Sequence, residues 1–458
     1  MNSPGSTIAA IATAVAANAG SVAIVRISGP KARAIGQRVF RPAGGMGQVW
    51  ESHRVQYGHV VEPASGQVLD EVLLLYMQAP RSFTGEDVVE LHCHGGLICV
   101  QRVLEQVLTN GAEAAAPGAF SQRAFLHGRL DLTQAEAVAQ VIGARSRRAA
   151  ALALAGLDGG ICRRIEVLRQ QLLEQLAQLE AHLDFEDDLP PLNPEVVKET
   201  VQVVAEGLSQ LVKDSYQGQC LQRGLRIAII GCPNVGKSSL LNYLGSHDRA
   251  IVTDLPGTTR DTLEAELSLR DVPITLVDTA GIRKTSNPVE KLGIARSRQV
   301  LTQVDVIILL FDVNLGWSEA DQALANEIPE DVPHLRVGNK VDLLDQSKYQ
   351  SNGKLESSLT ISTITGQGME DFTDALLRCC GLTDLERLDT SLNCRQASGA
   401  QKAIEALTRL DATAKAGLPW DFWTIDLRDA IHHLGEIIGE EVSEDILDEI
   451  FSKFCIGK

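Results

Sequence analysis

The sequence of 458 residues lacks the features that mark membrane and secreted proteins. No apolar run reaches the roughly 18 residues that a membrane-spanning helix needs. The alanine-rich residues 9–19 have no basic start and are interrupted by Thr13 and Asn18, unlike a signal sequence. The nine cysteines form no C-x-x-C pair, which favours reduced thiols. We therefore expect a cytoplasmic protein with no membrane partner.

The sequence also lacks an excess of basic residues. Asp and Glu number 59 against 42 Lys and Arg, which gives a formal net charge of −17. This charge disfavours indiscriminate binding to nucleic acids, so an RNA contact would need a partner protein or a local basic patch. Residues 145–148 (Arg-Ser-Arg-Arg) are one candidate, although a solvated helix face is the simpler interpretation. The length leaves room for two or three globular domains.

A phosphate-binding loop is the most informative motif present. Residues 231–238 match Gly-x-x-x-x-Gly-Lys-Ser, whose backbone N–H groups bind phosphates. The apolar run 225–230 before it predicts a buried strand, and residues 239–244 after it predict a helix, whose N-terminus favours anions. Lys237 is expected to contact the β- and γ-phosphates, and Ser238 to bind magnesium.

Two later motifs each follow a predicted strand. In residues 278–281 (Asp-Thr-Ala-Gly), Asp278 can complete the magnesium shell, and Gly281 lets its N–H approach a γ-phosphate. In residues 339–342 (Asn-Lys-Val-Asp), the carboxylate of Asp342 can accept two hydrogen bonds from guanine, a donor pair that adenine lacks. The ordered triple predicts GTP binding by a doubly wound α/β sheet.

The pattern along the chain indicates four segments. Short β-like runs around one helical run predict a mixed α+β domain at the start. Apolar residues recur every three or four positions over 161–183, and a second helix is expected over 194–211. Helical periodicity resumes after the GTP-binding module. We expect the helices before and after the module to pack together, which makes the module an insertion; two separate helical domains are the alternative. The segments are 1–125, 126–223, 224–381 and 382–458.

The region between the first two motifs suggests how hydrolysis is arranged. Thr258 and Thr259 both suit an effector loop that moves to the γ-phosphate and magnesium. The position after the second motif is Ile282, whose aliphatic side chain cannot hold the attacking water. Glu290 is the best-placed carboxylate for that task, although it can equally be an ordinary acid in the first turn of a helix.

These motifs resemble the GTPases of the Era and MnmE type, in the TrmE-Era-EngA-YihA-Septin-like group. Further stretches narrow the resemblance to the MnmE (TrmE) family over the entire length. These stretches are Gly-Thr-Thr-Arg-Asp at 257–261, Ser-Phe-Thr-Gly-Glu-Asp at 82–87, His-Gly-Gly at 94–96, Pro-Gly-Ala-Phe-Ser-Gln-Arg-Ala-Phe at 117–125, Leu-Asp-Leu at 130–132 and Phe-Cys-Ile-Gly-Lys at 454–458.

The resemblance implies a fold and a reaction. The family has a tetrahydrofolate-binding N-terminal domain that dimerises, and a Ras-like GTPase domain inserted in a helical domain with a C-terminal cysteine motif. With the FAD-dependent partner MnmG, in a heterotetramer, it modifies carbon 5 of the wobble uridine (position 34) of certain tRNAs to (carboxymethyl)aminomethyluridine. The one-carbon donor is 5-formyl- or methylene-tetrahydrofolate, and hydrolysis depends on potassium and magnesium.

The resemblance also implies roles for residues that match the family motifs by position. The nucleotide contacts would be Asn234, Val235, Gly236, Lys237, Ser238, Ser239, Thr253, Asp254, Leu255, Pro256, Gly257, Thr258, Thr259, Asp278, Thr279, Ala280, Gly281, Asn339, Lys340, Asp342, Ser362 and Thr363. Magnesium would be bound by Ser238 and Thr259, and potassium by Asn234, Thr253, Leu255 and Thr258. The folate contacts would be Arg26, Glu90, Arg129 and Lys458. The catalytic groups would be Glu290, Lys237 and Cys455.

Three positions need separate comment. Arg129 stands where relatives carry Lys, which keeps the charge and changes its geometry. Residues 362–364 read Ser-Thr-Ile where Ser-Ala-Lys or Ser-Ala-Arg is usual, so stacking of a long cation on guanine is lost and weaker nucleotide affinity is expected. Cys455 can take part in the chemistry or be a buried structural thiol.

Two other functions fit parts of the sequence. An Era- or Der-like switch in ribosome assembly would explain the GTPase motifs but leaves residues 1–125 and the C-terminal motif unexplained. A folate-dependent one-carbon transferase regulated by GTP would differ from the MnmE interpretation in needing neither MnmG nor tRNA.

Overall fold

The computed structural model describes residues 5–15, 20–44, 49–185, 190, 192–247, 264–278, 303–344, 359–382 and 388–458. The chain divides into two compact units. The first comprises Met1–Ile142, Leu154–Leu208 and Ser398–Lys458, and the second Gly143–Ala153 and Ser209–Ala397.

The elements of the described residues follow in chain order. The first half contains β1 (Ile8–Ile11), β2 (Val22–Ser28), α1 (Ala32–Val39), β3 (Phe40–Pro42), β4 (Arg54–Val61), β5 (Val68–Met77), β6 (Val88–His94), α2 (Leu97–Thr109), β7 (Glu113–Ala114), α3 (Ala119–Leu126), α4 (Leu132–Gly143), α5 (Arg147–Leu157), α6 (Gly160–Asp184) and α7 (Pro194–Arg223). The second half contains β8 (Leu225–Ile230), α8 (Lys237–His247), β9 (Glu264–Leu269), β10 (Val272–Asp278), β11 (Val306–Asp312), α9 (Glu319–Ala325), β12 (His334–Asn339), the 3₁₀ turn Val341–Leu343, β13 (Leu359–Thr360), α10 (Met369–Cys379), α11 (Cys394–Lys415), α12 (Trp420–Ile438) and α13 (Glu444–Ser452).

The first unit is built on a seven-stranded sheet in the order β3-β4-β5-β6-β2-β1-β7. Its strands alternate between buried and more exposed residues, as a sheet covered on one face requires. Helices α1 and α2 pack against the buried face, where Val25, Val89 and Leu91 lie. Strand β2 pairs antiparallel with β6, and this register sets Arg26 directly opposite Glu90.

The helical part of the first unit joins segments from both halves of the sequence. Helix α6 packs along α12, so helices before and after the predicted GTP-binding module are in contact. Ion pairs reinforce this packing: Arg428 of α12 contacts Glu180 of α6 at 2.6 Å, and Arg169 of α6 contacts Glu440, in the turn after α12, at 2.7 Å.

The last residues of the chain return to the N-terminal sheet. Helix α13 packs on α3, and Phe451 and Phe454 are buried with Leu132. The main chain then runs past β1 so closely that a Cβ on Gly457 would lie 2.4 Å from the carbonyl oxygen of Ile11. The N–H of Phe120 donates to the carbonyl oxygen of Lys458 at 3.1 Å. The C-terminal motif is thereby part of the first unit.

The second unit contains a six-stranded sheet in the order β13-β12-β11-β8-β10-β9. All neighbouring strands are parallel except the edge pair β9 and β10. The predicted strand 225–230 is confirmed as β8, in which Ile227 and Ile229 face one hydrophobic cluster and Ala228 and Ile230 the other. Apart from the exposed Arg226 the strand is apolar, as burial on both faces requires, and its carboxyl end meets the phosphate loop.

Helix α7 extends further than its sequence pattern predicted. It ends at Arg223, not near residue 211, because Ser215, Cys220 and Leu221 stay buried along its continuation. Gly218 disfavours a helix locally, but a Cβ there would lie 1.8 Å from Oγ of Ser391, so the close packing requires glycine. Among the described helices, none is long and apolar enough to cross a membrane.

Gly118→Ala and Gly128→Ala form a matched pair that tests the docking of the C-terminal residues. Both glycines have a left-handed φ, 68° and 65°, so either substitution costs roughly 1–2 kcal/mol in strain. Only at Gly118 would the new Cβ meet a neighbour, the carbonyl oxygen of Phe451 at 2.5 Å; nothing lies within 4 Å at Gly128. We expect Gly118→Ala to cost about 1–3 kcal/mol more through overpacking. Hydrogen exchange in residues 444–458 should accelerate in Gly118→Ala alone, and equal exchange in both variants would contradict this docking.

Candidate functional site

The predicted phosphate loop joins β8 to α8 in the second unit. Its backbone is left-handed at Asn234, with φ 64°, and at Gly236, with φ 102°. Val235 is buried beneath the loop, whereas Ser238 and Ser239 are exposed on the first turn of α8. The N–H groups of that turn have no partner one turn back within the helix, so the loop presents donors where an anion can bind.

Lys237 lies across the loop that precedes it. Its Nζ donates to the carbonyl oxygens of Gly231 at 2.7 Å and Cys232 at 2.8 Å. These contacts hold the ammonium group beside the loop backbone, where a positive charge can meet the phosphates of a nucleotide.

Asn339 connects the phosphate loop to the loops predicted to bind guanine. Its Nδ2 donates to the carbonyl oxygen of Val235 at 2.9 Å, and its Oδ1 accepts from the N–H of Thr363 at 3.3 Å. The residue is only 1% exposed. A Cβ on Gly236 would lie 2.2 Å from the same Nδ2, so the two motifs are in direct steric contact. The sequence places Asn339 among the nucleotide contacts but does not reveal this bridging role.

Lys340 is held by groups that the sequence analysis missed. It has a left-handed φ of 70°, and its Nζ contacts Oδ2 of Asp312 at 2.7 Å. Asn314 Nδ2 donates to the carbonyl oxygen of Lys340 at 3.2 Å. Burial alone would raise the pKa of Asp312, but hydrogen bonds from Lys340 and Asn314 outweigh it and hold the pKa below its ordinary value. Asp312 is the last residue of β11, which pairs with β12. The sequence signal for its role was an acid at the end of the strand next to the one that leads to Lys340. Asp342 follows on the exposed 3₁₀ turn.

The third loop keeps its backbone order without a long cation. Ser362 is buried, and its Oγ accepts from the N–H groups of Ile364 at 3.3 Å and Thr365 at 3.1 Å. Ile364, which stands where Lys or Arg is usual, is 80% exposed. An apolar side chain therefore occupies the surface position that a stacking cation would hold.

Several predicted residues lie outside the described part of the chain. Asp278 ends β10 and pairs in register with Ile229 of β8, which brings its backbone to the phosphate-loop edge of the sheet; its side chain is not described. The other predicted positions outside the description are Thr253, Asp254, Leu255, Pro256, Gly257, Thr258, Thr259, Thr279, Ala280, Gly281, Ile282 and Glu290.

A second site lies in the first unit, where three of the four predicted folate positions meet. Arg26 Nε donates to Oε1 of Glu90 at 2.9 Å, and Arg26 Nη1 donates to the carbonyl oxygen of Gly457 at 3.2 Å. Lys458 follows directly and is therefore held at the same place. The Arg26 guanidinium also lies 5.6 Å from the ring of Phe120 and 5.8 Å from that of Phe83.

The fourth position, Arg129, is linked to this site through its neighbour. Arg129 is exposed, and its Nε donates to the carbonyl oxygen of Ser82 at 3.2 Å. Ser82 directly precedes Phe83, whose ring faces Arg26. Phe120 is fully buried beneath Arg26, whereas Phe83 is partly exposed. The Phe83 ring, the carboxylate and the cations form a set that can bind a flat heterocycle with an acidic tail.

His92 belongs to the same site and was not predicted there. Its Nε2 donates to Oε2 of Glu90 at 3.3 Å. Burial alone would raise the pKa of Glu90, but hydrogen bonds from His92 and Arg26 outweigh it and hold the pKa below its ordinary value. Because residues two apart on a strand share a face, the Glu-x-His spacing in β6 was the available signal. The carboxylate stays ionised and ready to accept hydrogen bonds.

The structure excludes one of the two roles that the sequence left open for Cys455. The thiol is exposed, so the interpretation as a buried structural cysteine is wrong. The chain turns at this residue through its backbone, whose carbonyl oxygen accepts from the N–H groups of Gly118 at 3.4 Å and Lys458 at 3.3 Å. Phe454 occupies the buried position instead. A chemical role of Cys455 stays a prediction.

The candidate basic patch at 145–148 is partly neutralised within the second unit. Arg145 Nη1 contacts Oε1 of Glu266 at 2.9 Å. The backbone N–H groups of Arg147 and Arg148 donate to the carboxylate of Asp271 at 3.3 and 3.0 Å. These acids lower the net positive charge of the patch.

Comparison with known proteins identifies relatives over the full length. The family model of the MnmE helical domain matches residues 132–455, and that of the GTP-binding protein TrmE N-terminus matches residues 7–129. A tRNA modification GTPase MnmE of Synechococcus sp. strain RCC307 is 59% identical over 99% of this chain and 98% of its own. The proteins of that name from Synechococcus sp. strain WH7803 and Prochlorococcus marinus strain MIT 9303 are 56% and 55% identical, over 99% and 98% of their own lengths.

Among solved structures, the G domain of the T. maritima FeoB iron transporter is 28% identical over 34% of this chain and 98% of that chain, with a TM-score of 0.26. The two family models and the full-length relatives name the same family. The chain belongs to the MnmE family of tRNA modification GTPases.

Proposed function

We propose that the chain is a GTP hydrolase that takes part in modifying carbon 5 of the wobble uridine of certain tRNAs. The observation that carries the GTPase part is the bridge made by Asn339 between the phosphate loop and the guanine loops. It sets the phosphate site and the base site at a fixed separation on one sheet. The tRNA part is supported by the full-length relatives named tRNA modification GTPase MnmE.

GTP would be held by groups at the carboxyl ends of the strands. The loop N–H groups and Lys237 would take the phosphates, and Asp342 would accept from the guanine N1–H and amino group. Lys340 would keep its position through Asp312. Ser238, at the start of α8, and Thr259 would bind magnesium, which offsets phosphate charge.

Hydrolysis would use Glu290 to orient the attacking water, because Ile282 cannot. Potassium, when bound, offsets negative charge in the transition state, as an arginine finger does in related enzymes. Asn234 would contribute its side-chain oxygen to that ion, with Thr253, Leu255 and Thr258. Asn234 fits this role since its left-handed backbone turns an exposed side chain away from the buried Val235.

The second site would hold a tetrahydrofolate. Glu90, held in place by Arg26, would accept from the guanidine-like edge of the pterin. Phe83 would flank the ring, and Arg129 and Lys458 would meet the acidic tail. The bound folate supplies the one-carbon unit. A homodimer in the cytoplasm, joined with the FAD-dependent partner MnmG, would complete the enzyme.

GTP hydrolysis should depend on potassium. At equal ionic strength we expect the steady-state rate in potassium chloride to exceed that in sodium chloride by at least about tenfold, because the cation replaces an arginine finger worth 10³–10⁵-fold elsewhere. Asn234→Ala should remove the difference. Glu290→Ala should lower kcat by roughly 10²-fold with unchanged GTP affinity.

Asn326→Ala is the matched control, since Asn326 is an exposed residue of the same unit at the end of α9. It should keep both the rate and the salt dependence. Equal slow rates in the two salts would refute the potassium mechanism and direct attention to an arginine finger or an external activator.

Reconstitution tests the reaction itself. We expect the purified chain, MnmG, GTP and a tetrahydrofolate donor together to convert the wobble uridine of substrate tRNA, as measured by mass spectrometry of nucleosides. Omission of MnmG or GTP should abolish the product. One-carbon transfer without MnmG would support the transferase alternative, and binding to ribosomal RNA without any modified tRNA would support the assembly switch.

Folate binding should depend on the Glu90 carboxylate. Glu90→Gln removes a charged acceptor and leaves Arg26 without its ion pair, so we expect tetrahydrofolate to bind about 10–100-fold more weakly, the value of one charge-assisted hydrogen bond. Titration calorimetry on the full chain measures this. Glu62→Gln, at a partly exposed acid just after β4 of the same sheet, should bind as the wild type does. Equal affinities of the two variants would move the folate site elsewhere.

A further inference from the structure

Helix α12 carries a cluster of metal-ligating side chains that belongs to neither site described above. His432 and His433 are adjacent, and Glu436 follows one turn later. One ligand atom from each of the three lies within 4.8 Å of the other two. Oε1 of Glu436 is 3.7 Å from Nε2 of His432, and its Oε2 is 3.0 Å from Nδ1 of His433. The carboxylate therefore stands between the two imidazoles.

The second nitrogen of each ring is engaged by a different carboxylate. Nδ1 of His432 contacts Oε2 of Glu441, and Nε2 of His433 contacts Oδ1 of Asp429 at 3.4 Å. Carboxylates at this position fix the tautomer and orientation of metal-bound histidines. His432 Nε2 and His433 Nδ1 therefore each lie next to an oxygen of Glu436. A cation placed there would contact all three side chains.

The surroundings favour a positive ion. Arg169 of α6 contacts Glu440 at 2.7 Å and Glu441 at 3.8 Å. Arg409 of α11 contacts the carboxylates of Asp426 and Asp429. With Glu436, five carboxylates stand against these two guanidinium groups, which leaves the cluster negatively charged. The cluster also lies in the last two turns of α12, the negative end of its helix dipole.

We propose that His432 Nε2, His433 Nδ1 and the Glu436 carboxylate form a binding site for a divalent transition-metal ion, with zinc as the best match. Two imidazoles and one carboxylate suit zinc and its neighbours, whereas magnesium and calcium prefer oxygen ligands alone. His432 is 47% exposed, so a fourth position is open to water. The ion would join α12 to the turn after it through Glu441 and, through Arg169, to α6.

Zinc titration of the full chain tests the proposal. Excess magnesium fills the oxygen-ligand sites, and a phosphine reductant keeps the thiols reduced without competing as a thiol. We expect the wild type to bind one zinc ion more than His432→Gln or His433→Gln does. Glu441→Gln should weaken that site about 10–100-fold, as loss of an outer carboxylate partner does in known sites. Cobalt bound at the site should show visible absorption without a thiolate charge-transfer band.

His182→Gln is the matched control, at a partly exposed histidine of α6 whose ring nitrogens contact the carbonyl oxygens of Gln178 and Pro190. It should retain the site. Equal zinc stoichiometry and affinity in the wild type and His432→Gln would overturn the proposal. A cobalt–thiolate band could also persist in the His432→Gln, His433→Gln double variant with no other absorption lost. That result would assign the metal to cysteine and would also overturn the proposal.

Discussion

The return of the last residues to the first sheet is the constraint on which the architecture depends. Arg26 donates to the carbonyl oxygen of Gly457, and glycine is required there because the strand carbonyl of Ile11 leaves no space for a side chain. Because residues on both sides belong to the first unit, residues 143–153 and 209–397 each leave that unit and return to it. Helix α6 precedes residues 209–397 and α12 follows them, and these two helices pack together. The second sheet has a hydrophobic core of its own.

Electrostatic pairing recurs at each functional position and has a common purpose. The cations with assigned roles are held by acids or carbonyl oxygens: Lys340 by Asp312, Arg26 by Glu90, and Lys237 by its own loop. A flexible cation pays rotamer entropy when it captures an anion, and prior fixation removes part of that cost. The lowered pKa values of Asp312 and Glu90 keep these pairs charged at neutral pH.

Local sequence patterns predicted the secondary structure near the motifs well. They did not predict the contacts between the motifs. Strand β8 was predicted to the residue, because five of its six residues are apolar, as burial on both faces requires. Helix α7 was predicted too short, since the packing that stabilises its last turns comes from Ser391, far along the chain. The Asn339–Val235 and Arg26–Gly457 contacts span 104 and 431 positions, and no periodicity encodes them. The alternative of a buried structural thiol at Cys455 was wrong because an apolar neighbour, Phe454, took the interior position.

The steric contact between Gly236 and Asn339 has a consequence for protein engineering. A Cβ at the first position would overlap the amide of the second, and the amide in turn supports the carbonyl oxygen of Val235. The phosphate loop and the guanine-binding motif can therefore be exchanged between proteins only as a pair. A chimera that exchanges the phosphate loop while keeping a foreign base-recognition segment would inherit either a collision or an unsupported loop, so recombination boundaries should keep residues 231–238 and 339–342 together from a single parent.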